Sequence, residues 1–485
     1  MLGRLVGVAI VVTLTLPAQD PVEAARRFHT TQREAVLNGF KSLLAIPNVA
    51  ADPASLDRNA QTLVGLLQQR KCTARLLSLP GAPPIVFGER RTRGAVRSIV
   101  FYAHYDGQPV TLSEWHNPPF QPIVQGNSDE QRIYARSASD DKAAIYAQLV
   151  ALEALDSAHI PLHANIRFIW EGEEESGSPH LESILAANRD AVGGDLWLIC
   201  DGPVDQSGRQ TVLFGARGDT HLEITVYGPI RPLHSGHYGN WAPNPAMMLA
   251  QLLAGVKDEN GRVRIPGFYS GVEPLGSAER EALSRAPVHD EQLRQELGLG
   301  HADGGGARLV DLLNLPSLEI RGMSSAQVGN RATNVIPSTA TADLDLRLVV
   351  GSDWRTQQER VIDYIRSQGF YVVDTPPSKD VLLAHSKVAL VTKDSFGYNA
   401  VRTPMNSPAV PAVISAITAA RGSVIEWPTM GGSLPLEAIQ RVTKSPMIVV
   451  PIANYDNNQH AANENLRLQN LWDGIETMAS LLCLH

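Results

Sequence analysis

The sequence predicts an α/β protein, a doubly wound and mostly parallel sheet into which an α+β domain is inserted. Towards both ends of the chain, apolar runs of strand length alternate with runs of helical spacing, as in a parallel sheet covered by helices on both faces. From about Gly215, apolar and polar residues alternate strictly, which is typical of a sheet with one face in water. At 485 residues, the chain is long enough for two or three domains.

The first part of the α/β domain, residues 19–214, supplies most of the predicted parallel sheet. Helical spacing of apolar residues covers 23–44 and 55–69 at its start. Strands and helices then alternate along the chain, at 98–104 (SIVFYAH), 142–155, 163–170 (HANIRFIW), 179–188 and 195–200 (DLWLIC).

The middle of the chain, residues 215–398, is predicted to form the inserted domain. Its alternating strands are THLEITVYG (220–228) and TATADLDLRLVV (339–350), and helical stretches lie at 244–256, 289–299 and 354–369. The loop HADGGGAR (301–308) lacks the strand-to-helix context of a phosphate-binding loop, so we interpret it as a linker. The second part of the α/β domain, residues 399–485, has a helix at 407–420, a strand at 446–452 (PMIVVPI) and a closing amphipathic helix.

Residues 1–18 have the layout of a secretory signal peptide. Arg4 precedes an apolar run from Leu5 to Leu16, which Pro17 and Ala18 follow. No later run reaches about 18 apolar residues, the length that a membrane-spanning helix needs. We therefore predict an exported protein, periplasmic or secreted, with no stable membrane span after cleavage. An uncleaved N-terminal anchor is the main alternative, and a buried N-terminal helix is a lesser one.

Charge and cysteine content exclude several classes of protein. The 42 basic and 50 acidic residues give a net charge of −8, which argues against nucleic-acid partners and anionic membranes. The three cysteines, Cys72, Cys200 and Cys483, are too few and too scattered for a disulfide framework or a structural zinc site. The sequence does not exclude a single disulfide. Cys200 lies in an apolar run and is interpreted as a buried thiol.

Histidines and carboxylates follow the predicted strands of the α/β domain. They are His104 and Asp106 after SIVFYA, the glutamates of EGEEESGS (171–178) after HANIRFIW, Asp201 after DLWLIC, and His460 after PMIVVPI. A further pair, Asp140–Asp141, opens the alanine-rich helix at 142–155. Because the functional sites of open α/β sheets lie just beyond the carboxyl ends of the strands, we expect these side chains to lie close together.

The residue types favour a metal site. Each alone has an ordinary explanation, since an acidic pair at a helix start is usually an N-cap and a histidine after a strand is usually structural. Together they form a nitrogen and oxygen ligand set without cysteine, which suits zinc, manganese or cobalt, and the many carboxylates suit two ions. Asp106, two residues from His104, fits a carboxylate that holds a ligand imidazole in one tautomer.

Several motifs resemble one family. They are HYDGQPV (104–110), EWHNPPFQP (114–122), EGEEESGS, RPLHSGHYG (231–239), TNVIP (333–337), DLRLV (345–349), MGGSLP (430–435) and QHAANE (459–464). The same order is found in the co-catalytic zinc peptidases of clan MH, which include carnosinases, cytosolic nonspecific dipeptidase, aminoacylase, carboxypeptidase G and succinyl-diaminopimelate desuccinylase. The chain is most similar to the carnosinase-like dipeptidase branch, from about residue 25 onwards. The resemblance implies a zinc-peptidase type of fold, in which the inserted domain is a lid that also mediates dimerisation.

The resemblance implies a role for each matched position. His104 and Asp201 would bind one divalent ion, Glu175 and His460 would bind the other, and Asp140 would bridge the two. Asp141 fills a variable position and is not expected to be a ligand. Glu174 would be the catalytic general base, taking a proton from the metal-bridging water and passing it to the leaving amine. Asp106 would assist His104.

The resemblance also implies how the substrate is held. His234 of the lid would reach the active site of a partner subunit and polarise the scissile carbonyl, so we expect a homodimer formed through the lid. Asn334, Arg347, Gly432 and Ser433 match substrate-binding positions, and an arginine suits a bidentate grip on a terminal carboxylate. A surface ion pair for Arg347 and a turn role for Asn334 are the structural alternatives. His116 and His237 match no functional position.

Ala135, Ser137 and Ala143 stand where the family has glycines, and any of them that needs a positive φ would be strained. The sequence thus predicts a hydrolase with two divalent ions, zinc or else manganese or cobalt, that cleaves the amide bond of dipeptides or similar small substrates with a free carboxylate. An N-acyl-amino-acid deacylase or a glutamate-releasing carboxypeptidase is the alternative hydrolase. An inactive relative acting as a binding module is the alternative of another class, and the presence of Glu174 counts against it.

Overall fold

The computed structural model describes residues 20–127 and 130–485. The predicted signal peptide, residues 1–18, lies outside the described residues. Within the described part, no helix has both the length and the apolar character needed to cross a bilayer.

Helices and strands alternate along most of the chain. The helices are α1 (Pro21–Thr31), α2 (Arg33–Leu44), α3 (Pro53–Gln69), α4 (Lys142–Ser157), α5 (Leu181–Ala187), α6 (Arg189–Val192), α7 (Ser235–Tyr238), α8 (Pro245–Ala254), α9 (Ser277–Arg285), α10 (Asp290–Glu296), α11 (Leu309–Leu312), α12 (Trp354–Ser367), α13 (Lys379–Ala384), α14 (Val410–Arg421), α15 (Leu436–Thr443) and α16 (Leu468–Leu482). The strands are β1 (Thr73–Leu77), β2 (Ile85–Arg90), β3 (Ser98–His104), β4 (Ile123–Gln125), β5 (Arg132–Tyr134), β6 (Asn165–Glu171), β7 (Leu196–Ile199), β8 (Thr211–Leu213), β9 (Gly215–Tyr227), β10 (Leu233–His234), β11 (Ser317–Ser324), β12 (Val335–Ile336), β13 (Thr339–Leu348), β14 (Tyr371–Val373), β15 (Val388–Lys393), β16 (Val401–Arg402), β17 (Ile425–Trp427), β18 (Met430–Ser433), β19 (Met447–Val449) and β20 (Asn465–Arg467).

The larger sheet has eight strands in the order β1-β2-β6-β3-β7-β19-β8-β17. Its four central strands, β6, β3, β7 and β19, are parallel to one another. Residues on both faces of these strands are buried, because one core packs under α4 and α16 and another under α5 and α15. The doubly wound, mostly parallel sheet is therefore confirmed.

The second sheet has seven strands, with β11-β13-β9-β15-β14 as its main path. Along β13 buried and half-buried residues alternate strictly, because one face packs on α8 and α12 and the other is polar. The long strand β9 also pairs with β16 and β18, which belong to the last part of the chain. Backbone hydrogen bonds therefore join the inserted segment, the predicted lid, directly to the last part of the α/β domain.

Two predicted helices differ from the structure. The helix expected over 23–44 is two helices, because the backbone at Gln32 (φ −110°, ψ 21°) leaves the helical range. The closing helix, which the apolar pattern predicts from Asn465 onwards, starts only at Leu468, because Asn465–Arg467 pairs as β20 with β5.

Candidate metal centre and substrate cavity

Three candidate segments meet at one edge of the large sheet. His104 is the last residue of β3 and lies opposite Glu171, the last residue of the parallel strand β6. Asp201 follows the end of β7, the neighbour of β3 on the other side. The carboxyl ends of parallel strands lie at one sheet edge, so these side chains are brought together by the topology.

Asp140 lies at the centre of the cluster. Its Oδ1 is 2.9 Å from Nε2 of His104, and its Oδ2 is 3.2 Å from Nε2 of His460. One carboxylate therefore contacts both histidines, each through a different oxygen. This geometry is that of a bridging ligand.

All five predicted metal positions fall into two ligand sets that share Asp140. One set is His104, Asp140 and Asp201; the other is Asp140, Glu175 and His460. In each set, one potential ligand atom from every residue lies within 4.8 Å of the others. Asp141 belongs to neither set, and its carboxylate instead accepts a hydrogen bond from the backbone N–H of His104 (3.3 Å).

Asp106 joins the first ligand set to the glutamate segment. Its Oδ1 lies 3.3 Å from Nδ1 of His104, on the opposite side of the ring from Asp140. Its two oxygens also accept the backbone N–H groups of Glu174 (3.1 Å) and Glu175 (3.0 Å). Asp106 therefore fixes both the imidazole and the backbone of the adjacent glutamates.

The glutamates of EGEEESGS have different surroundings. Glu171 is fully buried and accepts a hydrogen bond from the Tyr102 hydroxyl (2.6 Å), and Glu173 contacts the ring of His180 at 2.9 Å. Glu175 contacts His460 at 3.2 Å and accepts a hydrogen bond from Gln108 (2.7 Å). Glu174 lines the cavity beside the ligand sets. Only the last two therefore face the candidate centre.

Electrostatics of the protein groups alone show an excess of buried negative charge. Burial and the nearby carboxylate of Asp140 raise the pKa of Asp201 to about 7. Burial also raises the pKa of Glu174 well above its ordinary value, although His104 opposes this. Hydrogen bonds with Asp140 and Glu175 raise the pKa of His460 to about 10. Raised pKa values of clustered carboxyl groups reflect their burial and mutual repulsion, and a bound cation would reduce this repulsion.

The donor set fits divalent metal ions. It contains imidazole nitrogens and carboxylate oxygens but no sulfur, as zinc, manganese and cobalt accept. Its three carboxylates outnumber its two imidazoles, Glu174 adds a fourth carboxylate beside them, and such a charge surplus is costly to bury without cations. The residues present are therefore suited to two ions that share Asp140.

Glu464, the last residue of QHAANE, is a site residue that sequence reasoning missed. Its carboxylate is fully buried and accepts hydrogen bonds from the backbone N–H groups of Ser137 (2.8 Å), Ser139 (2.9 Å) and Asp140 (3.0 Å). Arg136 donates to the same carboxylate at 2.8 Å. Glu464 therefore holds the loop that presents Asp140. The signal in the sequence that could have indicated this role is its position in the same motif as His460.

One of the three substituted glycine positions does adopt the left-handed conformation. Ser137 has φ +60°, whereas Ala135 and Ala143 do not have positive φ values. Ser137 is held by its N–H bond to Glu464 and by a hydrogen bond from Asn48 to its hydroxyl (2.8 Å). The contacts offset the strain that a non-glycine residue has there.

A cavity of about 1080 Å³ joins the candidate metal centre to part of the predicted substrate site. Arg347, on β13, and Gly432 and Ser433, on β18, line the same cavity as Glu174 and Asp140. Arg347 donates a hydrogen bond from Nη1 to the Ser433 hydroxyl (2.9 Å). We call Arg347, Gly432 and Ser433, the cavity residues that are predicted to hold a substrate carboxylate, the carboxylate clamp.

The remaining two predicted residues lie elsewhere on the lid. His234 is exposed on the short strand β10, which pairs with β12, and Asn334 directly precedes β12. The carbonyl of Asn334 accepts a hydrogen bond from the N–H of Ser235 (2.9 Å), so the two predicted residues are neighbours. Among the described residues that line the large cavity, neither is present.

A third group of acidic residues and histidine, Asp219, His221 and Asp345, lines the lid side of the cavity or adjoins it. Arg347 Nε lies 3.1 Å from Asp345 and 3.6 Å from Asp219. The guanidinium therefore occupies the place of a cation, and the group is an ion-pair network rather than a third metal site.

Fold and site together define a metal-dependent hydrolase. Residues 100–483 match peptidase family M20/M25/M40, so the chain belongs to this family of peptide-bond hydrolases. The Cys-Gly metallodipeptidase DUG1 of Candida albicans is 26% identical over 413 residues, which cover 82% of this chain and 81% of the relative. The human Beta-Ala-His dipeptidase is 25% identical over 410 residues, covering 83% and 77%. An M20 family metallo-carboxypeptidase from Sulfolobus solfataricus, 26% identical, has a TM-score of 0.79 over 93% of this chain and 98% of that one.

These comparisons confirm the resemblance to the carnosinase-like branch but contradict the prediction of export. The matched relatives are Cys-Gly metallodipeptidases and Beta-Ala-His dipeptidases, and nothing in the matches supports a signal peptide. The prediction of export, and with it the alternative of an N-terminal anchor, depended only on the apolar run of residues 1–18.

Proposed function

We propose that the protein is a dipeptidase that uses two divalent ions, held by His104 and Asp201 on one side and Glu175 and His460 on the other. One observation carries this proposal: the two ligand sets share Asp140, and members of both sets line a single cavity together with the carboxylate clamp. A substrate with a free carboxylate would thereby be placed with its amide bond over the centre. The names of the dipeptidase relatives agree with a substrate of this size.

Glu174 is the proposed general base. Bound divalent ions would lower the pKa of a coordinated water and polarise the scissile carbonyl. Asp106 holds the Glu174 backbone next to the centre, and burial makes the carboxylate a stronger proton acceptor than an exposed glutamate. Glu174 would accept the proton of the attacking water and then deliver it to the amine that leaves.

The carboxylate clamp is proposed to hold the C-terminal end of the substrate. Arg347 and the Ser433 hydroxyl are already joined by a hydrogen bond, so the two donors are oriented in advance. Backbone N–H groups at Gly432 and Ser433 would add neutral donors. Bidentate contact with an arginine selects a carboxylate over an amide or an ester.

We propose that the inserted unit, residues 215–398, serves as lid and dimerisation domain between the two catalytic segments, 19–214 and 399–485. His234 and Asn334 lie together outside the cavity of their own chain, which suits residues that act in a partner's site. Large apolar side chains of this unit are exposed, among them Ile230, Trp241, Met247, Met323 and Val328. Strand β11 is moreover an open edge of the lid sheet.

The proposal is tested by a hydrolysis screen with metal-free protein reloaded with zinc, manganese or cobalt. The substrates are a free dipeptide, its N-acetylated form and its C-terminal amide. We expect metal-dependent cleavage of the free dipeptide and weak cleavage of the amide. Absence of cleavage with every metal, or cleavage that survives chelation, would contradict the proposal.

Carboxypeptidase activity is the second candidate, because the structural relative from Sulfolobus solfataricus is titled a metallo-carboxypeptidase. It would use the same metal ligands and the same carboxylate clamp. Higher kcat/KM for N-blocked substrates than for free dipeptides would favour carboxypeptidase activity. Deacylation of N-acyl amino acids belongs to the same candidate activity. The large cavity has room for such a blocking group.

A further inference from the structure

Arg347 and three other side chains of the same sheet, Asp219, His221 and Asp345, form a square, which we call the Arg347 square. Asp219 and His221 lie on β9, and Asp345 and Arg347 lie on β13. The antiparallel register places Asp219 opposite Arg347 and His221 opposite Asp345. Residues two apart on a strand point to the same face, so each positive group has one acidic neighbour across the strands and another along its own strand.

The two carboxylates are shared between two cationic groups. Arg347 Nε lies 3.1 Å from Asp345 and 3.6 Å from Asp219. His221 Nε2 lies 3.5 Å from each of the same two carboxylates. Nδ1 of His221 lies 3.0 Å from Asp394, which fixes the orientation of the ring. The imidazole is thereby held against the two residues that orient the guanidinium.

These contacts leave one edge of Arg347 open. Nε is directed at the aspartates and Nη1 donates to Ser433, whereas Nη2 donates to none of the described residues. Arg347 and Ser433 both line the cavity. The two terminal nitrogens are the edge with which a guanidinium takes both oxygens of a carboxylate.

Charge balance in the square depends on His221. Hydrogen bonding to Asp345 raises the pKa of His221, so the imidazole favours its charged form. Burial raises the pKa of Asp219 to about 6, whereas the neighbouring cations lower the pKa of Asp345, so Asp219 is the carboxylate that takes up a proton more readily. Two carboxylates beside one guanidinium repel each other, and a second positive charge next to both carboxylates offsets this repulsion.

We propose that His221 is a positioning residue that keeps Arg347 oriented for the substrate carboxylate. The inference rests on the proposed function, in which Arg347 belongs to the carboxylate clamp. His221 also lines the cavity, but among the described residues its charged contacts are with the aspartates and not with the guanidinium, so we assign its effect on the substrate carboxylate to the orientation of Arg347. Its loss is therefore expected to affect substrates with a terminal carboxylate and to spare substrates without one.

The test compares His221→Gln with wild type on a dipeptide and on the matching dipeptide amide. For the free acid we expect KM to rise about tenfold while kcat changes less than about twofold, as for the loss of a charged contact made equally in the ground and transition states. For the amide we expect kcat/KM to stay within about twofold of wild type. Glu223→Gln is the matched control, since Glu223 lies on the same face of β9 opposite Asp343 and should leave both substrates unaffected.

Asp394→Asn is the second variant, because Asp394 is half exposed and its replacement perturbs the square without touching Arg347. It should lower the ratio of kcat/KM for the free acid to kcat/KM for the amide, as His221→Gln does, but by a smaller factor. If kcat/KM falls equally for the acid and the amide, or if the ratio of the two kcat/KM values is unchanged in both variants, the proposed role of His221 is wrong. A wild-type protein that cleaves neither substrate would refute the proposed function and this inference with it, whereas an unchanged ratio on an active wild type refutes the inference alone.

Discussion

Two adjacent glutamates, Glu174 and Glu175, have the same backbone support and different environments. Asp106 accepts the N–H of both residues, which fixes their relative positions. Glu175 is paired with His460 and Gln108, while the carboxylate of Glu174 faces the cavity beside the ligand sets. A ligand and a base can therefore come from consecutive residues.

Glu174→Gln should lower kcat by about 10²–10⁴ and leave the metal content unchanged, because the amide keeps the shape of the side chain but cannot accept the proton. The measurement is steady-state kinetics together with metal analysis of the purified variant. Glu182→Gln, at an exposed glutamate of α5, is the control and should have wild-type turnover. Full activity in Glu174→Gln would rule out this residue as the base.

Glu464→Gln should weaken metal binding by about 10–100-fold, because residues that orient a ligand typically have effects of this size. Gln can accept fewer of the bonds that Glu464 receives from Arg136, Ser137, Ser139 and Asp140. Calorimetric titration of the metal-free variant with zinc measures the change. Unaltered affinity would show that the Asp140 loop is held without Glu464.

At the residue scale, the sequence could place side chains together where they follow a strand directly. His104, Asp201 and Glu175 each come shortly after an apolar run, so strand ends alone placed them together. Glu464 and His221 were missed for a physical reason, since their importance depends on which backbone groups or carboxylates face them. That information lies in loop geometry and strand register, which spacing along the sequence does not supply.

At the scale of elements, three helices are joined by one glutamate. Glu476 of α16 contacts Arg26 (2.8 Å) and His29 (3.1 Å) of α1, and Arg421 of α14 (3.1 Å). Burial alone would raise the pKa of Glu476, but hydrogen bonds from His29 and Arg26 outweigh it and lower the pKa to about 2. The charged form is therefore favoured by folding.

This network should make stability depend on pH through Glu476. A carboxylate whose folded pKa is depressed contributes fully above its unfolded pKa of about 4.5, and the contribution is lost as pH falls towards 2. Glu476→Gln should destabilise the protein at pH 7 by about 1–3 kcal/mol. The difference in unfolding free energy between wild type and variant, from denaturant titrations at pH 7, 5 and 4, should shrink below about pH 4.5. A difference that is constant with pH would contradict the assignment.

Periodicity located the strands and helices well, and its failures have a common cause. The period of apolar residues runs through Gln32, so one helix was expected where the backbone makes two. Likewise, Asn465–Arg467 continues the helical pattern of the last segment but is drawn into a strand by pairing with β5. Tertiary pairing and local backbone breaks do not alter the pattern of apolar residues, and the pattern could not report them.

At the scale of the whole molecule, the lid residues His234 and Asn334 are separated from the cavity of their own chain. The proposed homodimer would supply them from the partner. Mixed inactive variants test this: after dissociation and reassociation of His234→Ala with Glu174→Gln, each hybrid dimer should contain one intact site. Random pairing should then restore about a quarter of wild-type sites.

Recovery of activity on mixing requires chain exchange, so a sample that is mixed without dissociation serves as the control. Trp241→Glu, which introduces charge at an exposed apolar side chain of the lid, should shift the protein towards the monomer in sedimentation experiments. A fully active monomer would refute the proposed dimer and the role of His234 in a partner's site.

The hydrogen bonds between Glu464 and the loop at 136–140 join positions 324–328 residues apart. His460, from the same closing segment, completes the second ligand set. All eight strands of the large sheet precede both residues in the chain, so at most one ligand set is complete before the closing segment is in place. In the proposed two-ion centre, the second ion can therefore bind only after the closing segment has packed against the loop at 136–140.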